Sequence, residues 1–200
     1  NLIPKSQIPI GFLEEKNILD VTSEYVKVSD LNIDIKKFND TTAYINVFNL
    51  GKWRVIDWGE KKSNMMTFKN LGRDLVYLPS TYKDNKMRYL KHPYMIDKSG
   101  VSHALVPDIT NMTSANLTRQ NEYRTDYKDF NTLEIVKGET YILNYWDDGW
   151  KPTGESTATE NGVFFETIPS NALLLLLPKK PDHFERIFML EPKTNTFFWY

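Results

Sequence analysis

The feature that most constrains this 200-residue chain is that it resembles itself. Tyr44-Ile45-Asn46-Val47-Phe48-Asn49-Leu50-Gly51-Lys52-Trp53 lines up with Tyr141-Ile142-Leu143-Asn144-Tyr145-Trp146-Asp147-Asp148-Gly149-Trp150. Both stretches open on Tyr-Ile, carry an aromatic residue four positions after the Tyr, and close on Trp at the same spacing. Further along, Thr67-Phe68-Lys69-Asn70-Leu71 answers Phe164-Phe165-Glu166-Thr167-Ile168, and Leu75-Val76-Tyr77-Leu78-Pro79 answers Leu174-Leu175-Leu176-Leu177-Pro178. Pro93-Tyr94-Met95-Ile96-Asp97 answers Ile187-Phe188-Met189-Leu190-Glu191. Four blocks in one order read as two copies of a single unit; the alternative is two strand-rich stretches that share only a pattern. The copies divide the chain into 1–105 and 106–200, each near the common size of an independently folding domain. The polar, weakly patterned stretch 107–124 is expected to connect them.

Within each copy the local signals are those of β-structure. Thr42 to Phe48 is rich in β-branched and aromatic residues, and Trp53 to Gly59 follows after a Gly-containing turn, as in a hairpin. In the second copy, 139–146, 162–166, 173–177, 186–190 and 196–200 read the same way, separated by Asp148-Gly149, Asn161-Gly162, Pro169-Ser170-Asn171 and 192–195. The run Leu173 to Leu177 is too short for a stable isolated helix and is bounded by Pro169 and Pro178, which favours a fully buried central strand. The expected fold is all-β: two tandem β-sandwich-like domains related by internal duplication.

Composition narrows the function classes. Lys plus Arg is 25 and Asp plus Glu is 26, for a net charge of -1, so the surplus of positive charge that a nucleic-acid or anionic-membrane binder uses is missing. There is no Cys, which removes thiolate metal sites and Cys nucleophiles. No apolar run approaches the ~20 residues of a membrane-spanning helix, so membrane insertion is not expected. The opening Asn1-Leu2-Ile3-Pro4 lacks the Met, basic region and apolar core of a signal peptide, and the chain reads as a mature product or a piece of a longer one.

Several of these segments, taken as wording rather than pattern, resemble a known family. Tyr145-Trp146-Asp147-Asp148-Gly149-Trp150-Lys151, Ile168-Pro169-Ser170-Asn171-Ala172-Leu173, Glu185-Arg186-Ile187-Phe188 and Phe198-Trp199-Tyr200 resemble the C-terminal β-sandwich region of large secreted bacterial transglutaminase-like proteins. Leu19-Asp20-Val21-Thr22, Gly51-Lys52-Trp53 and Phe68 to Pro79 are similar to the β-module that precedes it there. In that family the Cys-His-Asp machinery sits in a separate upstream domain. The resemblance implies an extracytoplasmic, non-catalytic tail, secreted, periplasmic or on the cell surface, with an upstream catalytic domain as neighbour.

Candidate ligand residues follow from aromatic and acidic clustering. Trp146, Asp147, Asp148 and Trp150 form the densest such group, and Asp147-Asp148-Gly149 is expected at a hairpin tip. An exposed Trp can stack on a sugar ring while nearby carboxylates accept hydroxyl hydrogen bonds. Trp58 and Trp146 lack a clear counterpart in the other copy, whereas Trp53 recurs as Trp150. The ligand-binding candidates are therefore Trp58, Trp146, Asp147 and Asp148, for a glycan or peptide. The competing reading is that these rings fill the core. If the strand is regular, Trp53 and Trp58 point to opposite faces. His92, His103 and His183 lack metal-ligand spacing, and Asp126, Asp129, Asp147 and Asp148 fit no calcium loop, so no metal and no cofactor are expected. No nucleophile elbow or phosphate loop occurs. The expected role is a non-catalytic accessory or interaction module; the alternatives are a carboxylate-pair hydrolase acting in a sandwich cleft and a purely structural spacer.

Overall fold

The computed structural model describes residues 27–38, 42–49, 52–73, 75–117, 135–180, 186–191 and 196–199. The chain divides into two compact units, Asn1–Ala104 and Leu105–Tyr200. Nearly every described element is a strand, and the fold is all-β.

The first unit holds β1 (Val28–Asp34), β2 (Ala43–Asn49), β3 (Lys52–Trp58), β4 (Glu60–Lys62), β5 (Met65–Gly72), β6 (Leu75–Lys83), β7 (Lys86–Tyr89), β8 (Tyr94–Ile96) and β9 (Ser102–Ala104). A 3-10 turn, Ile35–Lys37, follows β1 and is capped by the Asp34 carboxylate, which accepts from Lys36 N at 2.9 Å. Strands β1-β5-β4 form one sheet, and β3-β2-β6-β8-β9 form the other, with β7 also paired to β6. The β6–β7 hairpin turns through Asp84 and Asn85, both at positive φ, the backbone that a two-residue hairpin turn demands and that Asp and Asn tolerate.

The second unit holds β10 (Asp108–Leu117), β11 (Thr140–Trp146), β12 (Trp150–Thr157), β13 (Val163–Ser170), β14 (Leu174–Pro178), β15 (Arg186–Glu191) and β16 (Thr196–Trp199). Here β10 pairs with β13, and β12-β11-β14-β15-β16 form the larger sheet. The large sheet of each unit thus has the same order of strands, with β11, β12, β14, β15 and β16 standing where β2, β3, β6, β8 and β9 stand.

Each unit encloses its core between its two sheets. In the first, Leu31, Ile33, Met66, Phe68 and Leu71 from the small sheet meet Ala43, Ile45, Ile56, Tyr77, Tyr94 and Ile96 from the large one. In the second, Ala115, Leu117, Val163, Phe165 and Ile168 meet Tyr141, Leu143, Leu174 and Leu176. Burying a side chain of this size contributes about 1.5–3 kcal/mol each, which is what makes two-sheet closure favourable. The Leu run is the interior strand β14, flanked by β11 and β15. Leu174 and Leu176 face the inter-sheet core, while Leu173 and Leu175, on the other face, are equally buried. Burial on both faces explains an unbroken apolar run where alternation would otherwise stand.

The two units also share irregularities. Between β1 and β5, the pairing steps from Leu31↔Phe68 to Ser29↔Leu71, and between β10 and β13 it steps from Ala115↔Phe165 to Thr113↔Ile168. Both are β-bulges at the same place, and they keep Phe68 and Leu71, like Phe165 and Ile168, on the core side. A second bulge makes Ile56 the extra residue of β3 and Thr153 the extra residue of β12. A buried Asn follows each of these bulges on the partner strand: Asn46 donates to Leu78 O at 2.8 Å and Asn144 to Leu175 O at 3.5 Å.

The geometry departs from the sequence reading at Pro169 and Ser170, expected in a turn and found within β13, and at three further points. First, the structural register pairs Asn46 with Asn144 and Phe48 with Trp146, one residue away from the Tyr44/Tyr141 alignment. Tyr141 belongs to the inter-sheet core, whereas Tyr44, though buried, lies on the opposite face from Ala43 and Ile45. Second, residues 108–117 of the expected connecting segment are strand β10. Its sequence is polar because most of its first half is exposed, and its strand character comes from pairing with β13 rather than from local propensity. Third, Trp53 lies opposite Phe48 and Trp58 opposite Tyr44, so the bulge at Ile56 brings both Trp to the same face.

Candidate functional site

The β11–β12 hairpin carries three of the four candidate residues. Its strands pair from Thr140↔Thr157 to Trp146↔Trp150. The connection Asp147-Asp148-Gly149 closes on a bond from Asp147 N to Gly149 O at 2.9 Å. Asp148 has φ +56° and Gly149 φ +122°, backbone regions that Asp tolerates and Gly occupies freely. At the base of the tip, the rings of Trp146 and Trp150 meet edge to face, 5.2 Å between centroids and 86° between planes. Such a pair adds about 0.5–1.5 kcal/mol beyond its buried area. Trp146 N donates to Leu173 O at 3.0 Å, anchoring the strand end on its neighbour.

Trp146 is only 6% exposed, so its ring supports the tip and does not offer a free stacking face. Trp150 is half-buried and Asp148 is exposed. The Asp147 carboxylate holds Lys151 Nζ at 2.6 Å, and this hydrogen bond raises the Lys151 pKa. At the tip, then, Asp148 is a solvent-facing anion, and Asp147 and Lys151 form an ion pair beside it. Trp58, the fourth candidate, is half-buried at the end of β3 in the first unit; the other three candidates share one hairpin of the second. The first unit repeats the ring arrangement, since Phe48 and Trp53 meet edge to face at 5.4 Å and 74° across the β2–β3 hairpin. Trp146 therefore has a positional counterpart in Phe48, hidden in the sequence by the change of residue type.

A second polar cluster was not legible as a unit in the sequence. In the β8–β9 hairpin, Asp97 Oδ1 accepts from Ser99 Oγ at 2.6 Å, Ser99 N at 2.9 Å and Val101 N at 2.9 Å, and its Oδ2 is 2.8 Å from His103 Nε2. These contacts, with the Ser99 hydroxyl foremost and His103 next, hold the Asp97 carboxyl well below the usual carboxylate range. The trio is not a nucleophile relay. A relay needs the Ser hydroxyl on the imidazole, and here both Ser99 and His103 contact the carboxylate instead. Gly100, at φ +92°, lies so close to Ser29 and Arg73 that a Cβ there would collide with both. The Asp97-Lys98-Ser99-Gly100 turn was the available sequence signal; the partner six residues on needed the hairpin.

A shallow groove of about 360 Å3 is lined by Lys137, Gly138, Ala158, Thr159, Glu160 and Asn161, with Lys137 and Glu160 paired at its rim. Among the described residues, no group of three or more His, Cys, Asp and Glu side chains comes together to hold a metal. Asp126, Asp129 and His183 lie outside the described residues. No helix among the described residues is long and apolar enough to cross a membrane. Comparisons of the chain with protein-family models, with curated proteins and with solved structures find no match.

Proposed function

We propose that the chain is a non-catalytic interaction module of an extracytoplasmic bacterial protein, serving a catalytic neighbour on the same chain and taking a glycan or peptide ligand at the β11–β12 tip. The observation that carries this reading is the construction of that tip. A buried Trp146 braces Trp150, and above them an exposed Asp148 and the Asp147–Lys151 pair face solvent. Rigid support beneath an exposed, chemically mixed loop is the arrangement by which sandwich scaffolds present binding loops. In this reading Trp150 supplies the apolar contact and Asp148 accepts hydrogen bonds from the ligand, while Trp146 positions both. The common strand order and common bulges of the two units support descent from one copied unit. Duplication followed by divergence accounts for Asp147-Asp148-Gly149 standing in the sequence where the first copy has Asn49-Leu50-Gly51-Lys52.

The test is a glycan and peptide array probed with the wild-type chain and with Asp148→Asn, which keeps a residue tolerant of positive φ and removes the charge. The expected outcome is capture by the wild type that is lost in the variant, with an unchanged melting temperature. Equal capture by both proteins, or none by the wild type, would remove the tip as a binding site.

A further inference from the structure

The turn that joins β12 to β13 ends in Asn161-Gly162, the sole Asn-Gly pair in the sequence. Asn161 is exposed. Thr159 and Gly162 face each other as an isolated bridge, with Thr159 N bonded to Gly162 O at 2.8 Å but Gly162 N reaching Thr159 O only at 3.3 Å. Gly162 N is thus the loosely held member of the turn, and its own residue carries no Cβ to encumber it.

We propose that Asn161 is a site of spontaneous backbone modification, converting to a mixture of aspartate and isoaspartate. The Gly162 amide nitrogen gives up its proton to solvent base and attacks Cγ of Asn161. A C–N bond forms, the Cγ–Nδ2 bond breaks, and ammonia leaves. Water then adds to one of the two carbonyls of the resulting succinimide. Opening at Cγ leaves an aspartate at this position; opening at the main-chain carbonyl leaves an isoaspartate, in which the chain runs through the side chain. Nothing is oxidised or reduced, and water is the sole co-reactant.

The consequences are local and readable. The Asn161 carbonyl accepts from Asn116 Nδ2, tying the end of β10 to this turn. An isoaspartate inserts a methylene into the main chain at that carbonyl and displaces it. Either product adds a carboxylate beside Glu160, which already engages Lys137, and moves the net charge from -1 to one unit more negative. The first unit supplies an internal control. Its equivalent turn, between β4 and β5, places Asn64 before Met65, whose side chain encumbers the attacking nitrogen, and the Asn64 carbonyl is held by Ile35 N at 2.8 Å.

Incubating the full chain in mildly alkaline and in mildly acidic buffer, followed by peptide mapping that separates aspartate from isoaspartate, tests this. The expected result is conversion at Asn161 ahead of Asn64, Asn85, Asn111 and Asn171, faster in the alkaline buffer. The more acidic species on ion exchange should be lost in Asn161→Gln. Conversion at any of those other positions first, retention of the Asn161 amide throughout, or an acidic species that persists in Asn161→Gln would each overturn the assignment.

Discussion

Thr153 and Ile56 occupy the same place in the two units, each the extra residue of its bulge. Ile56 joins the core of the first unit, whereas the Thr153 hydroxyl is buried with no hydrogen-bond partner among the described residues. A buried, unsatisfied hydroxyl costs about 1–3 kcal/mol. Replacing Thr153 with Val keeps the branched shape and removes the group, so Thr153→Val is expected to stabilise the chain by roughly 1 kcal/mol. Denaturant unfolding of the two proteins measures this, and a lower midpoint for the variant would contradict it. Trp146 makes the complementary point about reading single residues. Its aromatic and acidic neighbours are visible in the sequence, but its burial at 6% and its edge-to-face contact with Trp150 arise from the folded hairpin and sheet, which the order of residues does not display.

Hairpins and strands carry the next level of information. The β8–β9 loop is organised by one carboxylate, Asp97, which gathers two backbone amides, a hydroxyl and an imidazole. Because its folded-state pKa is depressed, the ionised form is favoured by folding. The stability it contributes is fully present above the ordinary aspartate range and is lost as pH falls through and below it. Protection of the Ser99 and Val101 amides from hydrogen exchange should therefore decline in acid, and Asp97→Asn should abolish that dependence. An acid-induced loss that survives in the variant would assign it to another group. Strand β10 shows why the same elements are unequally visible. Leu174 to Leu177 announces a strand by composition, since both faces of β14 are buried, while Asp108 to Asn111 exposes every side chain and announces nothing. The hairpin tip at Asp147-Asp148-Gly149 is legible because turn chemistry is local: a position at positive φ favours Asp, Asn or Gly.

Each unit pairs strands that are distant along the chain. β1 meets β5 through Val28↔Gly72, and β10 meets β13 through Asp108↔Ser170. With cores that close only when these pairings form, loop-closure entropy is lost before burial compensates, and folding is expected on the millisecond-to-second scale typical of two-sheet proteins. Stopped-flow refolding followed by tryptophan fluorescence checks this, and a microsecond main phase would be incompatible with it. The sequence by itself determined that the chain is all-β, that the Leu run lies in an interior strand, and that the β11–β12 tip falls at Asp147-Asp148-Gly149. Those properties arise from alternation, composition and turn geometry within a few residues. Only the tertiary structure decided which face each aromatic takes, that Asn46 matches Asn144, that a polar stretch becomes β10, and that His103 meets Asp97. The physical reason is that one bulged residue, Ile56 or Thr153, reverses every inside–outside assignment beyond it, and a bulge is specified by pairing with a partner strand rather than by the residues that form it.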